Sequence, residues 1–347
     1  MSKVTAVLTT ERRKDDHIRI NLEQQVQFPR LTTGLERWRF MHRAVPELNL
    51  AQVSTAVTFF GKPLTAPLLI SSMTGGTARA RAINRILAEA AQESGIAMGL
   101  GSMRAAIEDE TLVDTYAVRD IAPSVLLLAN LGAVQFNYGY DVDACRRAVE
   151  MVDADALILH FNALQEAVQP EGDGNFAGLL PHVERVCRVL DVPVIAKEVG
   201  WGFSPSDVVQ LANAGVAAID VAGAGGTSWS EVEYYRASAA HHANVARAFA
   251  DWGIPTVDAI RFAREAAPDL PLIASGGLRD GVDVAKCIAL GSDLAGMAGP
   301  FLHAADHSLE AVHQLIWETV TQLRIAMFAS GAGDIAALKL TALVPVS

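Results

Sequence analysis

The chain has 347 residues, 51% of them hydrophobic, enough for a large core in one barrel-sized domain or two smaller ones. A net charge of -11 and a pI near 5.3 argue against nucleic acid as the main partner, although a local cluster of Arg and Lys can still hold an anion. No apolar run reaches the roughly 18 residues of a membrane span, and the N-terminus has no signal-peptide core, so a cytoplasmic protein is expected.

The first 60 or so residues precede any regular alternation. They carry the basic run Arg12-Arg13-Lys14, then His17. A run this short is usually solvated; it gains a role if the segment folds over a binding site. Val53–Phe59 with Gly61-Lys62 reads as a strand and turn that cap the bottom of a barrel. Eight short apolar runs follow: Pro67–Met73, Ala97–Ser102, Val125–Leu131, Ala156–Asn162, Val192–Glu198, Ala217–Gly223, Pro271–Gly277 and Leu294–Gly299. Segments of helical periodicity separate them, such as Ala78–Ala91 and Val282–Leu290, the latter stopped by Gly291. Eight buried strands alternating with helices at about 25–35 residues predict an α/β protein, a (β/α)8 TIM barrel. One gap is longer. Between the sixth and seventh strands, around Gly223 to Ala250, a loop and an extra helix are expected on the catalytic face. No linker or low-complexity segment appears, so residues 1–347 read as one domain with residues 1–60 as an N-terminal extension. Cys145, Cys187 and Cys287 show no CxxC spacing, lie in helix-like stretches and read as buried free thiols.

In a barrel, the C-terminal ends of the strands converge on one pocket. The densest of them is His160-Phe161-Asn162-Ala163-Leu164-Gln165-Glu166, an imidazole, two amides and a carboxylate together. A single carboxylate with water and phosphate oxygens is a usual Mg²⁺ arrangement, which favours Glu166 as ligand over a solvated helix start. Aspartates such as Asp15, Asp16 and Asp173 read as solvent-facing. The other ends are Ser72–Gly76, Gly101–Arg104, Asn130, Lys197-Glu198, Gly225–Ser228, Ser275–Gly277 and Ala298-Gly299. Two Gly-Gly turns on late strands, beside Thr227 and Ser275, point to a phosphate site. Lys197 ends a buried strand, so it either forms an ion pair with Glu198 or Asp220 or places a cation near an electron-rich cofactor edge or an anionic intermediate. Arg104 and the N-terminal basic run suit a diphosphate.

These residues in this order resemble the type 2, FMN-dependent isopentenyl-diphosphate isomerases. The signatures are Arg13-Lys14-x-x-His17, Met73–Gly76, Gly101–Arg104, His160-x-Asn162-x-x-Gln165-Glu166, Lys197–Gly200, Gly225–Trp229 and Ser275–Arg279, and they span nearly the whole chain. The resemblance implies interconversion of isopentenyl and dimethylallyl diphosphate, a 1,3-allylic shift that needs reduced FMN and Mg²⁺, with NADPH as reductant. It implies flavin contacts from Ser72, Met73, Thr74, Ser102, Asn130, Lys197, Thr227, Gly276, Gly277, Met297 and Ala298. It assigns substrate to Arg13, Lys14, His17, Ser102, Met103, Arg104 and Gln165, and Mg²⁺ to Glu166. His160, Asn162, Gln165 and Lys197 would serve the chemistry, and a homo-oligomer, tetramer or octamer, is expected. The N-terminal segment would close the site when substrate binds.

Three rivals are weighed. A 2-hydroxy-acid oxidase has a similar late segment, Ser275–Lys286, but uses a His after the sixth strand, where this chain has Ala222–Ser228. Dehydrogenases acting on inosine monophosphate use a loop cysteine there, also absent. A flavin-binding scaffold without activity would not need Gln165 and Glu166.

Overall fold

The computed structural model describes residues 3–346, with side chains described from Arg12 onward. Helix α1 (Lys3–Glu23) opens the chain. Strand β1 (Trp38–Phe40) follows, then the antiparallel hairpin β2 (Val57–Phe59) and β3 (Lys62–Leu64). The barrel then runs β4 (Leu68–Ile70), α2 (Ala78–Ser94), β5 (Ala97–Gly99), α3 (Arg104–Glu108), β6 (Leu127–Gly132), α4 (Val142–Glu150) and β7 (Ala156–Phe161). It continues with α5 (Ala163–Val168), α6 (Leu179–Val189), β8 (Val194–Glu198), α7 (Pro205–Asn213), β9 (Ala218–Asp220), α8 (Trp229–Arg236) and α9 (Ala240–Arg247). It ends with α10 (Thr256–Ala266), β10 (Leu272–Ser275), α11 (Gly281–Ala289), β11 (Leu294–Met297), α12 (Gly299–His307), α13 (Leu309–Ser330), α14 (Ile335–Lys339) and β12 (Leu343–Pro345). Strands β4 to β11 form a closed barrel of eight parallel strands, and β12 pairs with β1. All eight apolar runs became these strands.

The strands are shorter than the runs that mark them. Pro67–Met73 contributes only Leu68–Ile70 to the ladder. From Ser71 onward the chain leaves the ladder, and Ser71, Ser72, Met73 and Thr74 form the rim. Alternation divides the rest. Leu69, Ala97, Leu128, Ile158, Ile195, Ile273 and Leu294 fill the barrel interior, whereas Leu68, Ile70, Met98 and Leu127 pack on the helices. The interior is closed from below by Phe59 and Leu64 of the β2–β3 hairpin, which join the inner cluster as the expected cap. Phe59→Ala should leave a cavity under the barrel and cost about 3 kcal/mol. Urea unfolding reads this, and a loss under about 1 kcal/mol would show the hairpin to be dispensable.

Helix boundaries follow local chemistry. Thr77 caps α2 by accepting from the Ala80 N–H, and Gly95 ends it at φ +66°. Asp280 caps α11, which ends just before Gly291. The insertion after β9 contains two extra helices rather than one. The break at Ala237–Ala239 carries neither Gly nor Pro, so nothing in the sequence punctuates it. Cys145 and Cys287 are buried and Cys187 is half-buried; all three are free thiols. Among the described residues no helix is long and apolar enough to cross a membrane.

Candidate active site at the barrel mouth

Strand register builds the centre of the site. Gly132 of β6 pairs with His160 of β7, His160 with Lys197 of β8, and Lys197 with Asp220 of β9. In a parallel sheet, paired residues share a face, so three ionisable groups form one layer inside the barrel. Lys197 Nζ lies 2.7 Å from Asp220 Oδ2 and 3.1 Å from Ser275 Oγ, and that hydroxyl donates to Asp220 Oδ1 at 2.5 Å. Lys197 therefore has its ion pair with Asp220 and also lines the cavity. Glu198 is not its partner. One Glu198 carboxylate oxygen accepts the backbone N–H groups of Val199, Gly200, Trp201 and Gly202 and shapes the turn after β8.

His160 is half-buried over Gly132, where an added Cβ would stand 3.1 Å from Nε2. Its Nδ1 lies 2.8 Å from Asn130 Oδ1. Burial, with the charges of Lys197 and Lys14, pulls its pKa down to about 4. The ring is neutral, so Nδ1–H donates to Asn130 and Nε2 remains an acceptor. Activity should then carry no His160 titration between about pH 5.5 and 8. The neutral preference stabilises the fold above the ordinary value of 6.5, and that contribution is lost as pH falls toward 4. Comparing pH–stability curves of the wild type and His160→Gln checks this. A wild-type rise in stability on acidification through this range, absent in the variant, would contradict it.

The end of β7 turns directly into α5. Asn162 Nδ2 donates to Glu166 Oε1 at 2.8 Å and meets Gln165 Oε1 at 3.4 Å. Glu166 Oε2 accepts the Asp173 N–H at 2.7 Å. Asp173, expected to face solvent, instead folds back over the mouth. Its carboxylate lies 2.6 Å from Arg104 Nη1 and accepts from Gln135 Nε2 at 3.2 Å. Gly172 makes that return possible: a Cβ there would fall 1.9 Å from the Glu166 carbonyl oxygen.

Helix α1 lies along this mouth. Arg13 Nη1 stands 3.5 Å from Gln169 Oε1, and His17 Nε2 stands 3.1 Å from Glu233 Oε1 on α8. Burial alone would raise the Glu233 carboxyl, but the contacts to His17 and Arg236 hold it below the usual carboxylate range. Lys14 is pulled down to about 7 by burial and by Arg13 beside it. The segment after α1 then follows the β9 loop, with the Phe28 N–H donating to the Gly226 carbonyl.

The cavity has a volume of about 620 Å³ and is lined by Arg13, Lys14, His17, Ser72, Met73, Thr74, Ser102, Arg104, Asn130 and His160. Asn162, Gln165, Glu166, Lys197, Thr227, Gly276, Gly277, Met297 and Ala298 also line it. Met103 does not. Its side chain is fully buried in the core beneath the rim, and its N–H donates to the Asn130 carbonyl. Met103 stands just before the first turn of α3 and turns into the core, while Ser102 and Arg104 on either side of it line the cavity. The glycine turns also prove partly structural. A Cβ on Gly226 would lie 2.5 Å from the Gly277 nitrogen, so the two turns require glycine to pack on each other. Gly299, at the start of α12, is open to the cavity.

The buried oxygens of Ser71, Ser72, Gln135 and Asn162 have no protein partner, yet these residues line the cavity. Buried polar atoms of this kind call for a ligand that hydrogen-bonds them. Together with the late-strand glycine turns and the open start of α12, they fit a phosphorylated, many-edged cofactor such as FMN. Among the described residues no three His, Cys, Asp or Glu side chains gather as a metal site. A hard cation at Glu166 would take most of its ligands from water and phosphate, which suits Mg²⁺. Gln135, Asp173 and Glu233 were not legible as site residues. Gln135 follows a strand end, the one signal that pointed to it.

A family model described as FMN-dependent dehydrogenase matches residues 9–121 and 163–345. Curated relatives named isopentenyl-diphosphate delta-isomerase include one from Nostoc sp. (strain PCC 7120), 54% identical over 95% of this chain and 94% of the relative. One from Rickettsia bellii (strain RML369-C) is 52% identical over 94% and 96%, and one from Synechococcus sp. is 51% identical over 97% of each. Among solved structures, mandelate oxidase with (S)-2-phenylpropionate matches with a TM-score of 0.66 and 19% identity over 98% of each chain. At that identity the likeness is one of fold. With such identity to the curated relatives over nearly its whole length, the chain belongs to the FMN-dependent dehydrogenase family and, within it, to the type 2 isopentenyl-diphosphate delta-isomerases.

Proposed function

We propose that this protein interconverts isopentenyl and dimethylallyl diphosphate by a 1,3-allylic proton shift, using reduced FMN and Mg²⁺, with NADPH reducing the flavin. The observation that carries the reading is one cavity whose lining brings together the neutral His160, the carboxylate of Glu166 and the basic side chains of Arg13, Lys14 and Arg104. The flavin would be held by Ser72, Met73, Thr74, Ser102, Asn130, Lys197, Thr227, Gly276, Gly277, Met297 and Ala298. When bound, reduced FMN supplies a proton donor and an electron-rich face, and Mg²⁺ offsets diphosphate charge.

The chain's own groups then position and exclude. Arg13, Lys14, His17, Ser102 and Arg104 hold the diphosphate; Arg104 presents a guanidinium already oriented by Glu108 at 2.8 Å and Asp173 at 2.6 Å. Glu166 takes the metal. Asn162 orients Glu166 and Gln165, and His160 Nε2 offers an acceptor to the hydrocarbon end or to a water there. Lys197 keeps positive charge beneath the site. Helix α1 covers the mouth and limits water. We infer one domain whose first 60 residues serve substrate binding and capping, acting as a cytoplasmic tetramer or octamer.

Anaerobic turnover of isopentenyl diphosphate tests the reading, with FMN, Mg²⁺ and NADPH each omitted in turn. Product that depends on reduced flavin and metal, without stoichiometric NADPH consumption, supports it. Bound FMN with no product would overturn it in favour of an oxidoreductase.

A further inference from the structure

Tyr116 directly follows the 3-10 helix Glu110–Thr115, outside every motif described above. It is 0% exposed and among the largest fully buried side chains. Its hydroxyl is nevertheless fully engaged. It donates to the Ser102 carbonyl at 2.8 Å and accepts from Lys14 Nζ at 2.6 Å. Lys14 Nζ also donates to the Ser102 carbonyl at 3.1 Å and lies 5.2 Å from the centre of the Tyr116 ring. In its protonated form, which a bound diphosphate favours, Lys14 has three N–H donors; two are taken here, which leaves one for the cavity that Lys14 lines. Burial lifts the phenol pKa far above its ordinary range, so Tyr116 stays a neutral hydroxyl and cannot replace the lysine as an ion.

The Gly75-Gly76 turn makes this contact possible. A Cβ on Gly75 would stand 1.9 Å from the Tyr116 ring, and one on Gly76 would stand 2.9 Å from Lys14 Nζ and 3.2 Å from the Tyr116 oxygen. The turn after β4 must be bare for the ring to pass beneath it and reach a lysine arriving from α1. The Gly76 N–H, in turn, donates to Thr115 Oγ1 at 2.8 Å, so the same short segment supports the turn and the tyrosine.

We propose that Tyr116 is a positioning residue for diphosphate binding: its hydroxyl, with the Ser102 carbonyl, holds Lys14 of the N-terminal helix so that its remaining donor faces the substrate anion. The inference rests on the isomerase reading for the substrate's identity, but only a diphosphate is needed to test it. Holding an otherwise flexible side chain in its binding geometry removes an entropic cost from binding, so the effect belongs to affinity rather than to turnover.

The experiment uses FMN-loaded protein and inorganic pyrophosphate as the probe, measured by calorimetry, beside steady-state turnover of isopentenyl diphosphate. Y116F should weaken pyrophosphate about tenfold and raise KM similarly, with kcat within about twofold. Lys14→Met should weaken it at least as much, and adding Y116F to Lys14→Met should change it less than about twofold, because the tyrosine acts through the lysine. If Y116F does not load FMN, Y116M removes the hydroxyl while keeping a flexible apolar side chain in the same space, and the same loss is expected. Unchanged pyrophosphate affinity in the folded variant, or additive losses in the double variant, would overturn the role. Wild-type protein that binds pyrophosphate but makes no dimethylallyl diphosphate would instead remove the isomerase reading while leaving the Tyr116 assignment to be judged by the cycle. No pyrophosphate binding by the wild type would remove both.

Discussion

Glu166→Gln is expected to lower isopentenyl diphosphate turnover by about a hundredfold or more and to raise the Mg²⁺ concentration needed for half-maximal rate. The substitution keeps the volume but removes the charge. One Glu166 oxygen accepts from Asn162 at 2.8 Å and the other from the Asp173 N–H at 2.7 Å. An amide can satisfy only one of these, so one donor is left facing another donor. None of the groups that would hold flavin donates to Glu166, so FMN should remain bound and its absorbance unchanged. Turnover and metal dependence equal to the wild type's would take Glu166 out of the site. Loss of flavin together with activity would mean that the change had disrupted the mouth as a whole.

The second large effect is on stability. Lys197→Ala should destabilise the flavin-free protein by about 3–5 kcal/mol, because it leaves a buried carboxylate without its cation. Asp220 is 1% exposed and would retain only the Ser275 hydroxyl at 2.5 Å and a long contact from the Ala222 N–H at 3.3 Å. Denaturant unfolding of the apoprotein measures the loss. Adding Asp220→Asn should recover most of that stability but not FMN affinity, since the neutral pair no longer places positive charge under the cofactor. A single variant as stable as the wild type would show that water or a neighbouring group supports Asp220. A double variant that regains FMN affinity would make Lys197 a structural partner and nothing more.

Which strand ends reach the barrel mouth was legible because it depends on local order along the chain. A polar residue that closes a buried apolar run has few options: in a parallel barrel it emerges at the mouth. His160, Asn162, Glu166 and Lys197 all obeyed that rule. Met103 is apolar and turns into the core instead, because position next to a strand end does not decide which way a side chain turns at the start of a helix. Asp173 departs from its expected solvent-facing place for a different reason. It lies in a polar loop with glycines on both sides, and the sequence there looks like solvent-facing chain. Only the return of that loop, allowed by Gly172 against the Glu166 backbone, brings its carboxylate to Arg104.

What the sequence determined by itself was the barrel, its eight strands, the cap beneath it and the ring of groups at its mouth, since period, run length and residue type at strand ends are properties of neighbouring residues. The tertiary structure alone decided the pairings among those groups. Lys197 met Asp220 rather than Glu198 because β8 and β9 lie in register, while Glu198, next in sequence, points to the opposite face of the strand. Lys14 met Tyr116, 102 residues away, because the closing of the barrel and the seating of α1 bring them together. Hydrogen bonds and ion pairs act over a few ångströms of space, and the chain's own order carries no record of such distances until the fold is complete.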